Sequence, residues 1–186
     1  MAGLRERQAL NDQSRFPGLE PGPRASCAVS SRPRLKAGEA DLVRPTPHTR
    51  TDYPWFITLP TRWADNDIYG HVNNSQYNFL VDTAVNRWLI DRGLLDIHAR
   101  EFIGLAVETG MQFFASITFP EDVQAGVRVA HIGNTSVRYE VGLFTEENGD
   151  TACAQGHFIH VYVDGDTRKP KTLPDVWRDA LSEIAV

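Results

Sequence analysis

Apolar and polar residues alternate most regularly over residues 135–145, where Val137, Tyr139, Val141 and Leu143 share one face. That period of two is the mark of a strand with one side buried. Residues 123–132 and 151–163 carry similar runs, and Gly133-Asn134 and Glu146-Glu-Asn-Gly-Asp150 supply the turns between them. Upstream, residues 103–119 are rich in β-formers, interrupted at Gly110, where a bulge or kink is expected, and Pro120-Glu-Asp marks a turn. Residues 53–63, with Phe56, Ile57, Leu59 and Trp63, read as the first strand, which Pro60 confines to a sheet edge or to a bulge. Between the first and second strands the period changes. Tyr77, Leu80, Val81, Ala84, Val85, Trp88 and Leu89 recur at spacings of three and four, predicting a helix over 75–93. Asn73 or Asn74 offers the N-cap, and Arg92-Gly93 the stop. Residues 94–102 read as a loop or short helix, and 174–184 as a short helix burying Val176, Trp177, Ala180, Leu181 and Ile184. One strand, one long helix and four strands joined by tight turns make an α+β domain, a helix packed on an antiparallel sheet.

The first 52 residues stand apart. Residues 1–50 hold six of the eleven prolines and only one aromatic residue, Phe16, with no sustained period. Such a segment buries too little apolar surface to offset its ordering entropy, so 1–52 is expected to be a disordered tail and 53–186 the folded domain. Residues 1–50 carry +4, leaving −9 on residues 51–186 of a chain whose net charge is −5. An acidic domain is a poor nucleic-acid surface, though a few local cations suffice for a small phosphorylated ligand. Two cysteines, Cys27 and Cys153, form no disulfide framework, and no apolar run reaches membrane-spanning length. A cytoplasmic location follows; the arginine-biased tail allows a mitochondrial transit peptide as the alternative, against which Glu6, Asp12 and Glu20 argue.

The chemistry concentrates in Arg62-Trp-Ala-Asp-Asn-Asp-Ile-Tyr-Gly-His-Val-Asn-Asn-Ser-Gln-Tyr77, directly before the long helix. The start of Asp65-Asn-Asp67-Ile-Tyr-Gly70 mimics a calcium loop, but Tyr69 stands at its fifth position and Gln76 at its twelfth, where the bidentate Glu belongs. His157 and His160 fall on opposite faces of a strand, which disfavours zinc, and no metal or cofactor is expected. Gly-x-Ser-x-Gly, a phosphate-binding Walker loop and a dinucleotide fingerprint are all absent from the sequence.

Asp65-Asn-Asp-Ile-Tyr-Gly-His-Val-Asn-Asn, with Tyr77 three residues on, resembles the hotdog-fold acyl-CoA thioesterases of the 4-hydroxybenzoyl-CoA thioesterase type. It is also similar to bacterial long-chain acyl-CoA and plant acyl-ACP thioesterases. The resemblance extends over about 55–185, including Phe158-Ile-His-Val-Tyr-Val-Asp164 and Arg168-Lys-Pro. It implies a hotdog fold, a five-stranded antiparallel sheet wrapped on one long helix. It further implies an enzyme of fatty-acid metabolism hydrolysing a fatty-acyl or aryl thioester, as a homodimer or homotetramer. Asp67 matches the family's catalytic carboxylate, as general base or nucleophile, and Asp65 an acid assigned no chemistry. The backbone N–H of Asn74 matches the oxyanion donor, Gly70 allows close approach of the ligand, and His71 has an orienting or capping role. Tyr69, Asn73, Tyr77 and Glu108 are the candidates for substrate contact. The plant enzymes carry Asn where this chain has Tyr69, and the fold's hydratases carry an Asn-Pro between their Asp and His that this chain lacks. Arg128, Arg138, Arg168, Lys169 and Lys171 are candidate phosphate contacts, and Trp88, Met111, Phe113 and Phe114 candidate acyl contacts. The alternative is a hotdog protein that binds an acyl thioester, or serves as an interaction module, without turning it over.

Overall fold

The computed structural model describes residues 45–99 and 101–186. The expectation of disorder over 1–44 lies outside the described residues. Five strands, β1 (Trp55–Pro60), β2 (Phe102–Phe113), β3 (Asp122–Ile132), β4 (Ser136–Phe144) and β5 (Ala154–Asp164), form one antiparallel sheet in the order β1-β3-β4-β5-β2. The long helix α1 (Asn74–Asp91) packs across β3, β4 and β5, and a short helix α2 (Asp175–Ser182) closes the end of the sheet against β3. This is the expected α+β hotdog architecture, with the sheet wrapped on α1.

The core follows from the two periodicities meeting. Tyr77, Val81, Ala84, Val85, Trp88 and Leu89 form the buried stripe of α1. Val127, Val129, Val137, Tyr139, Val141 and Tyr162 face it from the sheet. Asn73 is the N-cap, its Oδ1 accepting from the Ser75 N–H at 3.0 Å. Gly93, at φ +69°, ends α1 in the left-handed region that a side chain disfavours.

Four boundaries differ from the sequence reading. The irregularity in β2 falls between Ala106 and Glu108, not at Gly110; the His157 ring fills the space where a Gly110 side chain would stand. β2 ends at Phe113 rather than 119, because the N–H groups of Phe114 and Ala115 both turn onto the Cys153 carbonyl (2.8 and 3.0 Å). β1 is shorter than 53–63. Beyond Pro60, which pairs with Asp122 on the edge strand, the chain enters a 3-10 turn at Trp63–Asp65 and leaves Trp63 82% exposed. Residues 45–52, read as tail, lie against the outer sheet face. The His48 N–H donates to Gln155 Oε1 (2.7 Å), and the His48 ring meets the Tyr53 hydroxyl (2.7 Å).

His160 gives the fold a pH dependence. Its ring is packed edge-on against Phe158, Tyr139 and Tyr162, and burial lowers its pKa from 6.5 to about 4. The unfolded chain therefore binds this proton first, and stability conferred by neutral His160 falls as pH drops from about 6.5 towards 4. Urea melts across that window should show the native protein losing stability faster than His160→Gln. Parallel slopes would contradict the assignment.

Candidate active site

The polar stretch after β1 folds into a closed loop. Asn66 and Val72 form an isolated antiparallel bridge, the Asp67 N–H donates to the His71 carbonyl (2.8 Å) and the Gly70 N–H to the Asp67 carbonyl (3.1 Å). Gly70, at φ +84°, makes the reversal possible. Gly70→Ala meets no atom within 4 Å, so its cost is purely conformational, about 1 kcal/mol in urea unfolding. An equal or higher stability for the Ala variant would contradict the strained loop.

Two anchors hold this loop beside α1. The Val72 N–H donates to the Ile117 carbonyl and the Asn73 N–H to the Asp65 carbonyl, both at 2.8 Å. Asp65 itself is structural. Its buried carboxylate takes the Arg62 Nη2 (2.7 Å), Nε (3.0 Å) and backbone N–H (2.7 Å), and the hydrogen bonds from the Arg62 guanidinium hold its pKa below the usual value. Asn66 also ties the loop to the segment after β2, its amide donating to the Gly70 carbonyl and accepting from the Phe119 N–H, each at 3.2 Å.

Asp67 sits in a loop seven residues beyond Pro60, the last residue of β1, and is carried to the start of α1. One carboxylate oxygen, Oδ1, accepts from the Tyr69 N–H (2.8 Å), while Oδ2 forms no hydrogen bond among the described residues. Asn74 is the first residue of α1, and its N–H likewise has no partner among them. Asp67 and Asn74 line a common open cleft of about 390 Å³ with Tyr69, His71 and Tyr77, opposite residues 113–116. The Tyr77 ring meets Phe113 edge-on at 5.0 Å, and burial raises the Tyr77 phenol pKa. A carboxylate oxygen and a helix N-terminus facing one cavity place a base and a site for developing negative charge together.

Not every expected residue joins them. Asn73 spends its side chain on the cap of α1. Glu108 lies outside the cleft, on the sheet face away from α1, where it accepts from His157 Nε2 (2.8 Å). Trp88 is wholly in the core and Met111 packs against the core cluster, and neither borders the cleft, leaving Phe113 and Phe114 as the apolar cleft contacts. None of Arg128, Arg138, Arg168, Lys169 or Lys171 borders the cleft. Residues 115 and 116 carry no site signal in the sequence, because the run to 119 reads as strand throughout. Among the described residues, no three His, Cys, Asp or Glu side chains are arranged to hold a metal ion.

Known proteins agree with this architecture. Residues 61–181 match the Thioesterase-like superfamily. The PA5185 protein from Pseudomonas aeruginosa superposes with a TM-score of 0.72 at 48% identity, over 76% of this chain and 97% of its own. A thioesterase from Thermus thermophilus, solved with coenzyme A and Zn, follows at 25% identity and TM-score 0.60, over 72% and 95%. A DHNA-CoA thioesterase from Staphylococcus aureus shares the fold at 21% identity and TM-score 0.61, over 69% and 89%. A comparison with curated proteins finds no match. Family match, sheet order and the wrapped helix lead to one assignment: this chain belongs to the Thioesterase-like superfamily of hotdog-fold proteins, whose chemistry is thioester hydrolysis.

Proposed function

We propose that the chain is an acyl-CoA thioesterase whose reactive group is Asp67. The observation that carries this reading is the pairing, in one cleft, of a carboxylate oxygen and a helix N-terminal N–H that both lack partners among the described residues. The thioester carbonyl oxygen accepts from the Asn74 N–H, where the dipole of α1 favours the charge that develops on it. Asp67 either removes a proton from an attacking water or attacks the carbonyl itself, giving a mixed anhydride that water then cleaves. Both routes release the acid and the CoA thiol. His71 borders the reacting centre, and Tyr69, Tyr77, Phe113 and Phe114 bound the acyl group.

The working form in this reading is a homodimer. β2 lies at the sheet edge beside the cleft, twelve residues long, without Lys, Arg or Pro, and with Leu105, Val107 and Phe113 exposed. An edge so unguarded is suited to pairing with a second copy, which would close the open side of the cleft.

The test is thiol release from a panel of alkyl- and aryl-CoA thioesters. Turnover of at least one is expected. Calorimetric binding of acyl-CoA with no turnover of any CoA or carrier-protein thioester would overturn the enzyme reading in favour of a non-catalytic binder.

A further inference from the structure

The two groups that meet in the cleft are held in place by different means. Backbone bonds fix the start of α1. The Asn73 N–H donates to the Asp65 carbonyl and the Val72 N–H to the Ile117 carbonyl, both at 2.8 Å, so the chain entering Asn74 is tied on two sides. These bonds pin the loop at Asp65 and again at Val72.

Between the pins the chain bonds almost wholly to itself. The Asp67 N–H reaches the His71 carbonyl, the Gly70 N–H the Asp67 carbonyl, and Asp67 Oδ1 accepts from the Tyr69 N–H. Among the described residues, one bond from 66–71 leaves the loop. It is made by a side chain, that of Asn66, whose Oδ1 accepts from the Phe119 N–H at 3.2 Å while its Nδ2 donates to the Gly70 carbonyl at 3.2 Å.

An amide suits that place. It presents a donor and an acceptor a fixed distance apart, so one side chain serves a carbonyl of the loop and an N–H of the segment after β2. Asp would lack the donor, and Ser would lack the reach to span both. Phe119 follows directly on residues 113–116, which form the wall of the cleft opposite Asp67. Asn66 therefore links the two walls at the residue next to the carboxylate.

We propose that Asn66 is a positioning residue: by tying the loop to the segment after β2, it sets where the Asp67 carboxylate stands relative to a thioester carbonyl held at the Asn74 N–H. This rests on the reading of Asp67 given above. Loss of the amide frees the Asp67 side of the site and leaves the Asn74 side on its backbone bonds.

Asn66→Ala should lower kcat for a cleaved acyl-CoA by about ten- to a hundredfold, the scale of a displacement of about 1 Å at a reacting group. KM should stay within about twofold of native, because Asn74, Phe113 and Phe114 keep their places. Thermal melting verifies the fold; if the Ala variant is unfolded at the assay temperature, Asn66→Ser takes its place. A double-mutant cycle in single-turnover thiol release separates positioning from general loosening. In Asp67→Asn protein there is no carboxylate to misplace, so the substitution at Asn66 should change the residual rate less than about twofold. A folded Asn66 variant with more than about half of native kcat, a loss confined to KM, or the same fractional loss in both backgrounds would each overturn this role for Asn66 and leave Asp67 as the reactive group. Equal rates for native protein and Asp67→Asn, or no thioester turnover by native protein, would overturn the reading of Asp67 and this role with it.

Discussion

Asp67→Asn is expected to lower kcat for thioester hydrolysis by about 10³-fold, the range spanned by loss of a general base or carboxylate nucleophile. The substitution is conservative where structure is concerned. The Asp67 backbone N–H keeps its bond to the His71 carbonyl, and the amide oxygen of Asn replaces Oδ1 as acceptor for the Tyr69 N–H. What disappears is the charge and basicity of Oδ2, the oxygen without a partner among the described residues. The loss should therefore fall on kcat, with KM and the thermal midpoint close to native. A variant that is folded and retains more than about a tenth of native kcat would remove Asp67 from the chemistry, since such a change is under 1.4 kcal/mol of barrier.

The largest effect on stability is expected at Trp88, wholly buried in the stripe of α1. Trp88→Ala should cost about 3–5 kcal/mol in urea unfolding, the transfer term plus an unfilled cavity. Trp88→Phe should cost much less. The indole Nε1 is buried with no acceptor among the described residues, so Phe removes an unsatisfied donor along with part of the ring. If the Phe variant were as unstable as the Ala variant, the indole N–H would have to be engaged in the folded protein.

Much of this molecule is legible in its sequence. Period-2 runs in β3, β4 and β5 and the 3.6-residue stripe of α1 are one-dimensional records of a sheet face against a helix face, and Asn73 and Gly93 mark the ends of α1 through local chemistry alone. Features set by contacts distant in sequence were not legible. Nothing local distinguishes residues 114–119 from the strand they follow; the chain leaves β2 there because its N–H groups find the Cys153 carbonyl, some forty residues away. The position of Asp67 was likewise hidden, because the loop carrying it depends on the bond from Val72 to Ile117 and on Asn66 reaching Phe119. Glu108 was attractive as an acid on the second strand. The irregularity beside Val107, which periodicity does not reveal, sets the face it occupies and its partner, His157. The short segment 45–52 carries no period, and polar contacts to Gln155 order it instead of a hydrophobic face.

The central claim is that acyl-CoA is bound in the cleft at the start of α1 and broken by Asp67. A single-turnover experiment tests it most directly: enzyme in excess over one acyl-CoA that the native protein cleaves, with free thiol and intact thioester followed in time, for native protein and Asp67→Asn side by side. Complete thiol release by the native protein is expected, with the variant holding the thioester intact and bound, recoverable from the protein fraction. Release at equal rates by the two proteins would contradict the account.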